Sequence, residues 1–182
     1  MRIISGSLKG RKIFAPKNLP VRPTTDRSKE ALFNILQNQY DWKEIKVIDL
    51  FAGTGNISYE FASRGASKVF AVDIDSMCVK FIRHTSKKLQ LEIIASQSDS
   101  VIYLQEITIN FDLIFADPPY NYTQQEKLCR DLTKQGIIAN QGMLYIEHQS
   151  QNKHIHWPNE WSVIREKTCG LVKANLLTFN QT

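Results

Sequence analysis

The chain has 182 residues, of which 42% are hydrophobic and 23% charged, enough for one folded unit with a sizeable core. No apolar run approaches the roughly 20 residues that span a bilayer, and the basic start MRIISGSLKGRK lacks the apolar centre of a secretory signal. Three scattered cysteines, Cys78, Cys129 and Cys169, form no CxxC pair, which fits a reduced, cytoplasmic protein with neither a disulfide framework nor a metal site.

The net charge of +5 is unevenly placed. Up to Glu30 there are eight basic residues against two acidic ones, so this segment carries +6 and the rest of the chain about −1. A solvated face accounts for some charge runs. Concentration of the whole excess in one terminal segment favours a polyanion-facing surface, because neutralised phosphates release counterions.

In chain order, RII, SGSLKG and RKIFAP read as a β-hairpin that Pro16 ends. NLPVRP is extended, since Pro20 and Pro23 disfavour helix in the residues before them. TTDRSKEALFNILQNQY opens on a threonine cap and carries Ala31, Leu32, Ile35 and Leu36 at helical spacing, so a helix is expected to end near Tyr40. These elements form an extension over residues 1–40, followed by an α/β domain over residues 41–182.

From Lys46 the pattern changes. VIDLF, KVFAVD, LEIIAS, FDLIFAD and GMLYIEH read as buried strands, separated by NISYEFASRG, SMCVKFIRHTSKKL, SDSVIYLQEI and YTQQEKLCRDLTKQG, each of helical length. This alternation predicts a mostly parallel sheet covered by helices on both faces. The tail WSVIREKTCGLVKANLLTF reads as two adjacent strands around Cys169-Gly170.

VIDLFAGTGNISYE follows a strand and opens a helix, which places Gly53 and Gly55 at a strand-to-helix turn where backbone can approach a ligand closely. Asp73 ends the next strand, twenty positions beyond Gly53, as expected of a carboxylate that takes ribose hydroxyls. A dinucleotide fingerprint has a third glycine where this chain has Ser58. Asp49, before the loop, repels a pyrophosphate but receives an ammonium group. The electrostatics therefore favour S-adenosylmethionine over NAD. Asp99, near the end of the third strand, either hydrogen-bonds an adenine amino group or caps the next helix.

FADPPYNY ends the fourth strand, and open α/β sheets bind ligands beyond the carboxyl ends of their strands. The prolines stiffen this corner, Asp117 arrives beside the cofactor loop, and Tyr120 offers a flat face to an unstacked base. An exocyclic amine is a poor nucleophile because its lone pair is delocalised into the ring. Hydrogen bonds from it to the Asp117 carboxylate and the Pro118 carbonyl favour a pyramidal nitrogen aimed at a methyl donor.

DLFAGTG, AVDID and DPPY resemble the motifs of amino-group methyltransferases that use S-adenosylmethionine. RIISGSLKGRKI, RPTTDRSKEALFNIL, EFASRGA, YIEH and REKTCG extend the likeness, over essentially the full chain, to the bacterial 16S ribosomal RNA guanine-N2 methyltransferase D family. The resemblance implies a Rossmann-like fold, a seven-stranded, mostly parallel sheet with an antiparallel C-terminal strand. It implies methylation of a guanine N2 in 16S ribosomal RNA of the small subunit; from the residues themselves, nothing demands more than a monomer, and no membrane or metal is expected. It places the cofactor, converted to S-adenosylhomocysteine, on Asp49, Phe51, Gly53, Gly55, Asp73 and Asp99, with the neighbours Ile74 and Ser100. Asp117, Pro118, Pro119 and Tyr120 surround the target amine. Arg2, Arg11, Lys12, Arg22, Thr24 and Arg27 are RNA-contact candidates, while Thr25 is expected to cap the helix.

Two positions depart from the family pattern. Asn56-Ile57-Ser58 stands where relatives have small residues and glycine, and Asp73 where they commonly have Glu. The competing readings are an adenine-N6 methyltransferase, an inactive RNA-binding assembly factor and, third, an NAD oxidoreductase.

Overall fold

Seven strands form one sheet in the order β3-β2-β1-β4-β5-β7-β6. They are β1 (Lys46–Leu50), β2 (Lys68–Asp73), β3 (Ile93–Gln97), β4 (Phe111–Ala116), β5 (Ile138–Gln149), β6 (Trp161–Cys169) and β7 (Val172–Phe179). The computed structural model describes residues 1–16, 19, 26–152 and 155–181, with the backbone alone for residues 26–28. The helices are α1 (Asp26–Leu36), α2 (Asn56–Arg64), α3 (Ser76–Leu89), α4 (Ser100–Glu106) and α5 (Gln125–Lys134).

Strands β1 to β5 pair in parallel, as apolar runs joined by helices require. β7 is antiparallel to both of its neighbours and inserts between β5 and β6. The expected antiparallel C-terminal strand and the pair turning at Gly170 are both present. Among the described residues, no helix is long and apolar enough to cross a membrane.

Alternation along the strands divides the core. Ile48, Leu50, Ile114, Ala116, Leu144 and Ile146 pack with α4 and α5. Val47, Leu113 and Phe115 face the other way, onto Leu32, Phe33 and Leu36 of α1 and Ile57 and Phe61 of α2. Ile3 and Ile13 of the N-terminal segment join Tyr59, Val79 and Ile82 in a third cluster on that side.

Two N-terminal elements differ from expectation. The hairpin is a short ladder with one bridge, Arg2↔Lys12, flanked by the Ile3 N–H to Arg11 carbonyl and Ile13 N–H to Met1 carbonyl bonds, both 3.0 Å. The loop between its strands bonds to α2 instead of extending the ladder, with the Ser7 N–H donating to the Ser63 carbonyl at 2.7 Å. Helix α1 ends at Leu36, short of Tyr40, whose hydroxyl turns to the Asp112 carbonyl at 2.8 Å.

Candidate active site at the carboxyl ends of two central strands

The chain leaves β1 in one direction toward β2 and β3, and β4 starts the other half of the sheet, so the order reverses between β1 and β4. Such a switch point opens a crevice beyond the strand ends. Asp49 pairs in register with Phe115, and Leu50 with Ala116, which puts the turn after β1 beside the one after β4. Phe51 adopts a left-handed φ of 64°, unusual for a residue with a β-carbon. Its ring meets that of Tyr122 edge-on at 5.4 Å, tying the two turns together.

The glycine turn is held from several sides. Gly53 (φ 53°) and Gly55 (φ 76°) take left-handed conformations, and the Gly55 N–H closes the turn on the Ala52 carbonyl at 2.7 Å. A β-carbon on Gly55 would lie 2.8 Å from Ile82, so glycine is needed there for space as well as for conformation. The Asp73 carboxylate accepts from the Gly53 N–H at 2.6 Å and from the Asp75 N–H at 2.8 Å. Asp75, not Asp73, caps α3, which leaves Asp73 fixed at the mouth of the turn. Ile74 beside it is 70% exposed, an apolar shelf at the rim. Asp99 caps α4 through the Val101 and Ile102 N–H groups at 2.8 and 3.2 Å, and Ser100 is buried as the first residue of that helix.

Asp49 is buried, and its carboxylate accepts from the Ser58 hydroxyl at 2.6 Å and the Ser58 N–H at 3.1 Å. Burial pushes its pKa from 3.8 to about 7; the Ser58 bonds oppose the shift, and the Asp117 and Asp73 charges add to it. None of the ion pairs among the described residues involves Asp49 or Asp73. A crevice lined by converging carboxylates, with a glycine turn at its edge, suits a cation bearing hydroxyls and disfavours a phosphate.

Asp117 follows β4, half-buried, with Pro118 buried and Pro119 exposed. The corner closes through the Tyr122 N–H to the Pro119 carbonyl at 2.8 Å. Gln149 at the end of β5 donates to the Tyr120 carbonyl at 2.9 Å, and Gln125 at the start of α5 to the Tyr122 carbonyl at 2.8 Å. Backbone anchoring of this kind leaves the Tyr120 side chain at the surface, 49% exposed. Behind the corner, Tyr145 stacks on Phe115 at 5.1 Å and donates to Glu147 at 3.0 Å. Its pKa is raised by burial first, then by Glu147 and Asp117. Within YIEH, His148 is buried, which lowers its pKa, and it bridges Asn175 at 2.7 Å and the Gln149 carbonyl at 2.8 Å.

The strand register thus brings Asp49 and Phe51 beside the corner that Asp117 to Tyr120 form, Asp73 is bonded to the Gly53–Gly55 turn with Ile74 exposed next to it, and Asp99 and Ser100 sit at the α4 cap. Arg2, Arg11 and Lys12 are exposed on the N-terminal ladder. Arg22, Thr24 and Thr25 lie outside the described residues, as does the Arg27 side chain.

A buried set of residues that sequence reading did not single out joins that ladder to the glycine turn. Lys29 is fully buried and donates to the Arg2 carbonyl at 2.6 Å and to Asn56 Oδ1 at 2.9 Å, with Glu60 at 3.5 Å. Glu60, equally buried, accepts from the Ile4 N–H at 2.8 Å, the Ser5 N–H at 3.0 Å and Arg64 at 3.0 Å. Asn56 and Ser58, both within the first of the two departures from the family pattern, are the residues of α2 that meet Lys29 and Asp49. The Thr54 hydroxyl of the glycine turn also contacts the Met1 sulfur at 3.8 Å.

Comparison with known proteins agrees with this architecture. The profile of the family described as Conserved hypothetical protein 95 matches residues 1–178. Ribosomal RNA small subunit methyltransferase D of Haemophilus influenzae is 30% identical, over 97% of this chain and 92% of its own. The solved structure of yhhF, a proposed methyltransferase from Escherichia coli, superposes with a TM-score of 0.89 at 27% identity, covering 100% of this chain and 99% of that one. A Streptococcus mutans protein described as a proposed SAM-dependent methyltransferase, at 15% identity and TM-score 0.68, shares the fold over 82% of this chain and 48% of its own.

Proposed function

The chain belongs to the Conserved hypothetical protein 95 family, and from that premise we propose that it is an S-adenosylmethionine-dependent ribosomal RNA methyltransferase that modifies a guanine N2 in 16S RNA. The observation that carries this reading is the pairing of two acids across the switch point. Asp49 sits below the glycine turn at the end of β1, and Asp117 opens the stiff corner at the end of β4.

The donor set fits the cofactor. The buried Asp49 carboxylate would receive the cofactor's ammonium, Asp73 would offer acceptors to its ribose hydroxyls, and exposed Ile74 would give its adenine an apolar contact. Asp99 and Ser100 close the adenine side, and Phe51, Gly53 and Gly55 shape the floor. When bound, the cofactor supplies a methyl group on an electron-poor sulfur.

The chain's own residues prepare the acceptor. The Asp117 carboxylate and the Pro118 carbonyl accept hydrogen bonds from the guanine amine, holding its lone pair toward the donor side. Tyr120 stacks on the extruded base, worth about 1–3 kcal/mol for contacts of this kind. The rigid corner keeps the amine aligned at roughly 3–3.5 Å from the group it attacks. Asp117 or water takes the proton lost from nitrogen. We assign the small-subunit particle as the RNA partner, contacted by residues 1–40 with Arg2, Arg11, Lys12, Arg22, Thr24 and Arg27, and residues 41–182 as the catalytic domain. The protein acts as a monomer in the cytoplasm.

Purified protein with methyl-labelled S-adenosylmethionine is expected to label small-subunit particles from a strain lacking the cognate enzyme. Nuclease digestion should then release N2-methylguanosine. Recovery of N6-methyladenosine alone, or no transfer, would overturn the assignment.

A further inference from the structure

The N-terminal ladder has two unlike faces. Ile3 and Ile13 point inward, 1% and 6% exposed, against Tyr59, Val79 and Ile82. The period-2 alternation of extended chain sends Arg2, Lys12 and Phe14 to the opposite side, and all three are exposed. The bonds flanking the Arg2↔Lys12 bridge make it a non-hydrogen-bonded pair, the closer of the two antiparallel spacings. Two cations are thus set directly opposite each other. A phosphate reaching this face would meet positive charge from both strands of the ladder.

Phe14 stands two residues beyond Lys12 and is 83% exposed, the most exposed large apolar side chain among the described residues. Single exposed apolar residues are ordinary. This one shares its face with Arg2 and Lys12 and lies in a segment where Arg11 is exposed as well. Met1, on the inward side of the same ladder with Ile3 and Ile13, touches Thr54 of the glycine turn, so the ladder as a whole adjoins the candidate active site. An aromatic ring beside paired cations suits a single-stranded nucleic acid, with bases stacking on the ring and phosphates meeting the charges.

We infer that Phe14 is a substrate-positioning residue whose ring stacks on an unpaired base of the ribosomal RNA, while Arg2 and Lys12 hold the flanking phosphates. This rests on the RNA methyltransferase reading and adds to it a contact outside the crevice. Stacking is insensitive to salt, whereas phosphate contacts are not. The two contributions can therefore be separated.

The test measures binding of the full chain to unmethylated small-subunit particles across salt concentration, for wild type, Phe14→Ala, Phe14→Leu, Phe14→Trp and Lys12→Ala. Phe14→Ala is expected to weaken binding by about 5- to 100-fold with an unchanged salt slope. Trp should restore binding and Leu should not, since only the former has a π-face. Lys12→Ala should weaken binding and flatten the slope by about one unit. Unchanged S-adenosylmethionine affinity in each variant reports an intact fold.

Wild-type affinity in Phe14→Ala, or full rescue by Leu, overturns the stacking assignment alone. A loss seen on particles but not on a naked 16S transcript reassigns Phe14 to a ribosomal protein and likewise overturns it. A wild-type protein that binds neither particles nor transcript overturns the RNA reading itself.

Discussion

The Ser58 hydroxyl lies 2.6 Å from the Asp49 carboxylate, at the position where a dinucleotide fingerprint has its third glycine. Its hydrogen bond favours the ionised acid against a burial that raises the pKa to about 7. Ser58→Ala should raise it further and leave less carboxylate at neutral pH. We expect cofactor affinity to fall about 3- to 10-fold at pH 7, with the gap to wild type closing above pH 8. Isothermal titration of S-adenosylmethionine against pH checks this, and a gap independent of pH would contradict it.

The same acid sets a trade between stability and binding. A carboxyl whose folded pKa exceeds its unfolded 3.8 stabilises the fold below about pH 4, and that contribution is lost as the pH rises toward 7. Asp49→Asn should therefore stabilise the cofactor-free protein at pH 7.5 by about 1–3 kcal/mol. It should also weaken S-adenosylmethionine by about 10- to 100-fold through loss of a charged hydrogen-bond partner. Urea unfolding and calorimetry read the two effects; a destabilised Asn variant would sink the argument.

Asp117 is assigned to the acceptor and not to the donor. Asp117→Ala should lower turnover by at least about 1,000-fold while cofactor affinity stays within about 3-fold. Because the Asp117 charge helps to raise Asp49, Asp117→Asn should also shift the acid limb of cofactor binding to lower pH. Parallel loss of affinity and turnover would place Asp117 on the cofactor instead.

Gly6 and Gly10 share a φ of 83° but not their surroundings. A β-carbon on Gly6 would fall 1.8 Å from the Ser63 carbonyl oxygen, whereas one on Gly10 meets nothing within 4 Å. Gly10→Ala should lose only the conformational term, about 1 kcal/mol, and Gly6→Ala at least about 2 kcal/mol more. Equal midpoints in urea would mean that the loop does not rest on α2.

Lys29→Met takes away the donor shared by the Arg2 carbonyl and Asn56 Oδ1 and leaves Glu60 with Arg64 as its ion-pair partner, and should destabilise the protein by about 1–3 kcal/mol. Lys29→Met combined with Glu60→Gln should lose less than the sum of the single variants, since the two side chains interact directly. A loss below about 0.5 kcal/mol in the single variant would refute the role assigned to this ion pair.

Much of this was legible in the sequence because it depends on near neighbours. Buried strands announce themselves as apolar runs, and VIDLF with FDLIFAD places Asp49 and Asp117 at strand ends before any pairing is known. Asp99 could be read two ways from its position, and the structure shows the cap, with Oδ1 accepting from the Val101 and Ile102 N–H groups. The Glu60 staple was hidden because its partners, Ile4 and Ser5, are backbone groups more than fifty residues away. Lys29 looked like one more charge on a basic helix, and only packing reveals that its ammonium lies indoors. Tyr40 shows the converse, a helix-compatible residue drawn off the helix by the Asp112 carbonyl.

The staple also orders events in time. A short two-stranded ladder is marginal alone in water, and the apolar side of this one finds cover only on α2 and α3. During synthesis from the N-terminus, the first fifteen residues therefore wait until Glu60, Ser63 and Ile82 have been made and folded. The arm proposed for RNA contact thus takes shape only after the glycine turn and the helix behind it.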